Sequence, residues 1–111
     1  MGSVFDMHRA DRAASPTILL SGEIDISNAA HLARALKGAV SNLDHELILD
    51  LSQVTYVDSA GIRVMFDLAR SLRDHQQRLV LAVPEGSIVR RSLTLAGLLD
   101  AVEVLKALPP G

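Results

Sequence analysis

The chain contains no cysteine and no tryptophan, and its aromatic residues are one tyrosine and two phenylalanines among 111 residues. Without cysteine it can form neither disulfide bonds nor a thiolate nucleophile or metal ligand. With so few aromatic side chains, leucine, valine, isoleucine and alanine have to fill the hydrophobic core. Hydrophobic residues make up 49% of the chain, which is enough for one ordinary globular core.

Long apolar runs and a charge of one sign are absent as well. No run approaches the ~20 apolar residues of a membrane-spanning helix, and the first residues lack the pattern of a secretory signal. The formal net charge is −2, with arginine and lysine scattered among carboxylates, whereas a nucleic-acid binder usually carries a basic face. We therefore expect a cytoplasmic protein that binds neither membranes nor nucleic acids.

Metal and cofactor motifs are also missing. The four histidines are widely separated, with no His-x-x-x-His pair, and no glycine-rich phosphate loop is present. We expect no metal site and no tightly bound cofactor. The length predicts a single domain over residues 1–111, with a core at about 4–106.

The hydrophobic pattern alternates between strand and helix periodicity. Four short apolar segments predict strands: residues 4–8, 17–21, 47–51 and 79–83. Three segments predict amphipathic helices: one capped by Ser27 with an apolar stripe ending at Leu43, one from about Asp58 to Asp74, and one from Ser87 to Ala96. Residues 52–56 predict a loop, and residues 101–105 a last strand or a short helix.

The resulting order is β-β-α-β-α-β-α. Strands that alternate with helices indicate a sheet with parallel neighbours that is covered by helices. The first two predicted strands are joined by a short polar segment, which suits a hairpin. We therefore predict the α/β fold class, opened by a hairpin.

The segment around Ser59 is the most informative for function. Asp58 and Ser59 stand at the start of the second predicted helix, where free N–H groups and the positive end of the helix dipole favour an anion such as phosphate. Gly61, without a side chain, would let the backbone of another protein approach closely. The simpler alternative is that Asp58 or Ser59 is only a helix cap and that Gly61 eases the turn.

A serine-hydrolase interpretation is not supported by the same segment. The nucleophile elbow of those enzymes requires glycine two residues before the serine, and Val57 occupies that position. No histidine is evidently placed as a base for Ser59. We therefore expect a binding protein, not an enzyme.

Three motifs in order give the chain a resemblance to STAS domains, and specifically to bacterial anti-sigma factor antagonists. The first is Val57-Asp58-Ser59-Ala60-Gly61-Ile62, which follows the strand at residues 47–51 through a short loop. The second is the strand-to-helix turn Gly22-Glu23-Ile24-Asp25. The third is the strand at residues 79–83, which leads through Pro84 into a helix that ends at Ala96-Gly97-Leu98. The resemblance spans residues 17–105.

The resemblance implies a mixed sheet with helices on one side, and a partner-switching function. The unphosphorylated antagonist binds an anti-sigma factor and frees a sigma factor. The anti-sigma factor is also a serine kinase that binds ATP and Mg²⁺, and it phosphorylates the residue after the aspartate, here Ser59. A phosphatase restores the free form. The implied partner-binding residues are Asp25, Ser27, Asp58, Ser59, Ala60, Gly61 and Ile62.

A second interpretation within the same family remains open. Some STAS modules bind without being phosphorylated, as scaffolds or as parts of transport complexes. The hydroxyl of Ser59 favours the phosphorylated antagonist, and Ala60 leaves Ser59 as the one candidate acceptor in the motif. We further expect Asp25 and Asp58 to contribute to partner binding more than to folding.

Overall fold

The computed structural model describes residues 4–9, 16–40 and 45–108. Strands and helices alternate there in the order that the hydrophobic pattern predicts. The elements are β1 (Phe5–Arg9), β2 (Thr17–Ile24), α1 (Ala29–Ala39), β3 (Glu46–Val57), α2 (Ser59–Asp74), β4 (Arg78–Ala82), α3 (Ile88–Leu95), a 3₁₀ turn (Leu98–Asp100) and β5 (Glu103–Leu105).

The strands form one mixed sheet in the order β1-β2-β3-β4-β5. β1 and β2 pair antiparallel, as the expected hairpin requires, with Phe5 opposite Gly22. β2, β3, β4 and β5 are parallel neighbours. Each parallel pair needs a crossover, and α1, α2 and α3 lie in the three crossovers. The predicted α/β class and the mixed sheet are confirmed.

The helices pack on one face of this sheet, as the resemblance implies. Alternate residues of β3, Leu47, Leu49 and Leu51, form one core cluster with the buried side chains of all three helices, which include Leu32, Met65 and Leu93. The opposite face carries a small second cluster of Ile48, Val80 and Ala82, packed by Leu105 and Leu108. Both faces of the central strands are therefore buried, which explains their nearly continuous apolar sequence.

The prediction of a loop over residues 52–56 is wrong. β3 runs on to Val57, and Gln53 and Val54 pair with Ser21 and Gly22 of β2 after a register irregularity. Four of the five residues in the segment are exposed and polar, so the sequence resembles a loop, yet Val54 is buried. Pairing with β2 overrides local propensity, which is a weak guide for strands.

Two helix assignments also need correction. The N-cap of α1 is Asn28 and not Ser27, and the helix ends at Ala39, while the proposed last stripe residue Leu43 lies outside the described residues. In α2 the buried side of the helix includes Leu68, which the predicted stripe omitted, whereas Ile62 and Phe66 are only half-buried. α2 thus presents Ile62 and Phe66 partly to solvent.

The other helix boundaries agree with the sequence. Asp58 is the N-cap of α2 and Ser87 that of α3, where its hydroxyl accepts a hydrogen bond from the backbone N–H of Arg90 at 3.0 Å. Gly97 follows α3 in the left-handed conformation, with φ of 82°. The last segment forms the 3₁₀ turn and then β5.

Candidate functional site

Two turns lie side by side where β2 and β3 end. Ile24, the last residue of β2, pairs with Val57, the last residue of β3. The backbone N–H of Asp58 donates to the carbonyl oxygen of Ile24 at 3.1 Å. Because parallel strands end at the same edge of a sheet, the turn at residues 25–28 and the start of α2 form one continuous surface. The predicted site residues are therefore brought together.

The carboxylate of Asp58 joins the two turns. One oxygen, Oδ1, accepts hydrogen bonds from the backbone N–H groups of Ala60 at 2.9 Å and Gly61 at 3.1 Å, and so caps α2. The other oxygen, Oδ2, accepts from the backbone N–H of Ile26 at 3.2 Å. A single side chain thus fixes the start of α2 relative to a turn 32 residues earlier.

Asp25 has a structural role in its own turn. Its Oδ1 accepts from the backbone N–H of Ser27 at 2.9 Å and from the Ser27 hydroxyl. Asn28 completes the turn, because its Oδ1 accepts from the N–H of Asp25 at 3.0 Å and its Nδ2 donates to the carbonyl of Glu23 at 2.8 Å. The buried Asn28 side chain therefore stabilises the turn from its interior side, while Ser27 is exposed on the surface of the turn.

These bonds hold Ile26 outward at the tip of the turn, with 83% of its side chain exposed. Sequence reasoning missed this residue. The signal that could have revealed it is an isoleucine placed between two polar turn residues, Asp25 and Ser27, outside the apolar pattern of both neighbouring elements.

Ser59 is the first residue of α2 and its side chain is exposed. Since Asp58 supplies the cap, Ser59 is not needed for capping. Its hydroxyl makes no hydrogen bond with the part of the chain that the structure describes. Ser59 is therefore open to modification, as a phosphoacceptor must be.

Gly61 serves the interior of the domain. It is buried, and a Cβ at this position would lie 2.7 Å from Cγ2 of both Ile24 and Val57. Its lack of a side chain lets α2 begin directly against the ends of the two strands. The space that the sequence analysis assigned to a partner's backbone is thus filled from within the chain, whereas Ala60 and Ile62 are half-buried beside Ser59.

An open groove of about 370 Å³ runs along α2 from Ser59. Ile62 and Phe66 contribute its apolar part, and charged side chains border it. Its lining residues are Ser59, Ile62, Arg63, Phe66, Asp67 and Arg70. The lining residues of this groove include no histidine.

A network of ion pairs lies at the opposite end of the parallel strands. Arg78, at the start of β4, bonds Glu46 of β3 at 2.7 Å and approaches Glu103 of β5 at 3.5 Å. The hydrogen bond to Glu46, with the negative charges of Glu46 and Glu103, raises the pKa of the Arg78 guanidinium. This network links the three strands, far from the turns at their other end.

Within the part of the chain that the structure describes, neither a metal-binding cluster nor a membrane-spanning helix is found. Within residues 4–9, 16–40 and 45–108, no three histidine, aspartate or glutamate side chains come together in a way that could hold a metal ion. In those same ranges no helix has the length and apolarity required to cross a membrane. The surface formed by the two turns is the best candidate.

The sequence of the chain matches a known family model. Residues 6–108 match the model of the STAS domain. The chain belongs to the STAS domain family. This STAS domain is 33% identical over 89 residues to the anti-sigma-F factor antagonist RsfB of Mycobacterium tuberculosis, a match that covers 80% of this chain and 71% of RsfB.

Two further comparisons extend the likeness. BtrV of Bordetella bronchiseptica is 37% identical over 62 residues, which cover 56% of this STAS domain and about half of BtrV, 53%. Among solved structures, that of an anti-sigma factor antagonist from Mycobacterium paratuberculosis superposes with a TM-score of 0.82, covers 95% of this chain and 88% of that one, and has 23% sequence identity. The structural likeness confirms the fold.

Proposed function

We propose that this STAS domain is an anti-sigma factor antagonist, a binding protein and not an enzyme. The observation that carries the proposal is the exposed hydroxyl of Ser59 at the start of α2, beside a turn held in place by Asp58. RsfB, which is 33% identical, has the name of an antagonist of this kind. We expect the domain to act in the cytoplasm.

The proposed partner is an anti-sigma factor with serine-kinase activity. ATP and Mg²⁺ belong to that partner, as the family resemblance implies, and the groove beside Ser59 offers it an apolar and charged contact surface. The partner covers Ser59, Ala60 and Ile62 on α2 and Ile26 on the neighbouring turn. Of these, Ile26 is the most exposed apolar side chain, at 83%, and we expect it to be buried in the complex.

Asp25, Ser27, Asp58 and Gly61 contribute to this surface mainly by shaping it. Their polar groups or missing side chain fix the two turns, and the turns present Ile26 and Ser59. The partner therefore binds a rigid surface, and this rigidity reduces the conformational entropy that is lost on binding.

Phosphorylation of Ser59 is the proposed switch, and a phosphatase reverses it. A phosphate adds roughly −1.5 to −2 charges at neutral pH. In the complex that charge is partly desolvated and lies next to Asp58. Like charge combined with desolvation weakens the complex by at least about a hundredfold, which corresponds to roughly 3 kcal/mol.

Calorimetric titration against the anti-sigma factor, together with a kinase assay, tests this function. We expect Ser59→Ala to bind like the wild type and to take up no phosphate, and Ser59→Asp to bind more weakly. Ser71→Asp is the matched control, since Ser71 is an exposed serine near the other end of α2, and it should leave binding unchanged. Equal affinities for Ser59→Ala and Ser59→Asp, with undiminished phosphorylation of Ser59→Ala, would favour a STAS scaffold that is not phosphorylated on Ser59.

A further inference from the structure

Three backbone donors in the first turn of α2 already have acceptors. The N–H groups of Ala60 and Gly61 donate to Asp58 Oδ1, and the N–H of Ile62 donates to the Asp58 carbonyl oxygen at 2.9 Å. From the sequence alone, helix N–H groups are predicted to stabilise a phosphate on Ser59. Because Asp58 takes these donors and adds a negative charge, a positive side chain nearby would supply stabilisation that these three N–H groups do not offer.

Arg63 is placed to supply that charge. It follows Ser59 by four residues in α2, so the two side chains lie on the same face one turn apart. Side chains in a helix lean towards the N-terminus, so the guanidinium of Arg63 would be able to reach the first turn if it left Asp67. Both residues line the groove that runs along α2.

The present partner of Arg63 holds it only loosely. Its Nε lies 3.9 Å from Oδ2 of Asp67, and the two side chains are 81% and 55% exposed. The order of the pair along the helix, base before acid, is the less favourable one for residues four apart. A phosphate on Ser59 would form the favourable order, acid before base, with about twice the negative charge.

We propose that Arg63 leaves Asp67 and binds the phosphate of phosphorylated Ser59 in the free antagonist. This inference rests on the proposed function, in which Ser59 is the phosphoacceptor. The pair holds the phosphate against α2, where the anti-sigma factor would have to separate it before binding again. Arg63 is thus a positioning residue that strengthens the switch after phosphate transfer.

The charged groups around a phosphate on Ser59 determine the second pKa of that phosphate. Asp58 and Asp67 on the α2 side, and Asp25 on the neighbouring turn, favour the less charged phosphate and raise its pKa. Arg63 and, further along the groove, Arg70 favour the dianion and lower that pKa. Removing Arg63 should therefore shift the titration upward from its wild-type position.

The test is a ³¹P NMR titration of the full chain, with phosphoserine installed at position 59 during translation. We expect the second phosphate pKa to rise by about 0.2–0.4 pH unit in Arg63→Gln. Arg63→Lys should retain part of the wild-type shift. Arg91→Gln, which removes an exposed arginine of α3, should leave the value unchanged. Asp67→Asn should lower it, because Arg63 loses its competing partner.

A pKa in Arg63→Gln equal to that of the wild type would overturn the proposal, and so would an equal change in Arg91→Gln. Failure of the proposed function is a separate result. The titration needs neither the kinase nor the anti-sigma factor. If no kinase phosphorylates Ser59, the proposed function fails, but the measured effect of Arg63 on the phosphate pKa still stands. Conversely, a working switch with no Arg63 effect would refute this inference alone.

Discussion

Replacing Asp58 by asparagine tests whether its carboxylate, besides capping α2, holds the turn that contains Ile26. Asparagine is also a good N-cap, so on sequence grounds alone the substitution should leave stability nearly unchanged. In the structure, however, both oxygens of Asp58 accept hydrogen bonds, one from the start of α2 and one from the N–H of Ile26. Asparagine has one oxygen, so an amide NH₂ group must face the N–H of one turn or the other.

The magnitude follows from these contacts. A hydrogen bond to a charged acceptor contributes about 1.5–3 kcal/mol, against about 1 kcal/mol for a neutral pair. Asp58→Asn loses the bond to Ile26 and converts the two bonds from Ala60 and Gly61 into neutral ones, but Ile26 is exposed and water can replace part of the loss. We therefore expect the free energy of unfolding to fall by about 1–2 kcal/mol.

Urea unfolding followed by circular dichroism measures this change. The urea midpoint should fall while the slope of the unfolding free energy against urea stays the same, because the surface that becomes exposed on unfolding does not change. Asp67→Asn is the matched control, since it neutralises another α2 carboxylate whose one ion pair is long, at 3.9 Å, and exposed; it should cost less than about 0.5 kcal/mol. An unfolding free energy for Asp58→Asn within about 0.5 kcal/mol of the wild type would refute the bridging role.

The other predictions concern packing, the partner surface and a turn. Gly61→Ala places a Cβ 2.7 Å from two side-chain carbons of Ile24 and Val57, so calorimetry should show a loss of about 1–2 kcal/mol despite alanine's better helix propensity. Ile26→Ala should weaken anti-sigma factor binding at least about tenfold, measured by titration, with unchanged unfolding. Gly97→Ala should cost about 1 kcal/mol in urea unfolding, because φ is 82° there. Unchanged stability of Gly61→Ala or Gly97→Ala would contradict the close packing or the left-handed backbone on which that prediction rests. Unchanged partner affinity of Ile26→Ala would contradict its burial in the complex.

The sequence alone determined the features that depend on neighbours within one helical turn or on a strand period. The alternation of strands and helices, a cap at Asp58 or Ser59, the left-handed Gly97 and the position of Ser59 at a helix start all follow from residues at most about four apart. The three motifs also pointed to the STAS family, whose model matches residues 6–108.

Only the tertiary structure decided how these local features meet. Residues 52–56 become a strand because β2 supplies a hydrogen-bonding partner, and Gly61 is required because Ile24 and Val57 converge on it. The hydrogen bond from Ile26 to Asp58 joins residues that are 32 apart in the sequence. Helix and strand periodicity cannot predict a contact over that separation. The site is assembled by parallel pairing of β2 and β3, which brings two separate turns to one edge of the sheet and so makes a single surface of them.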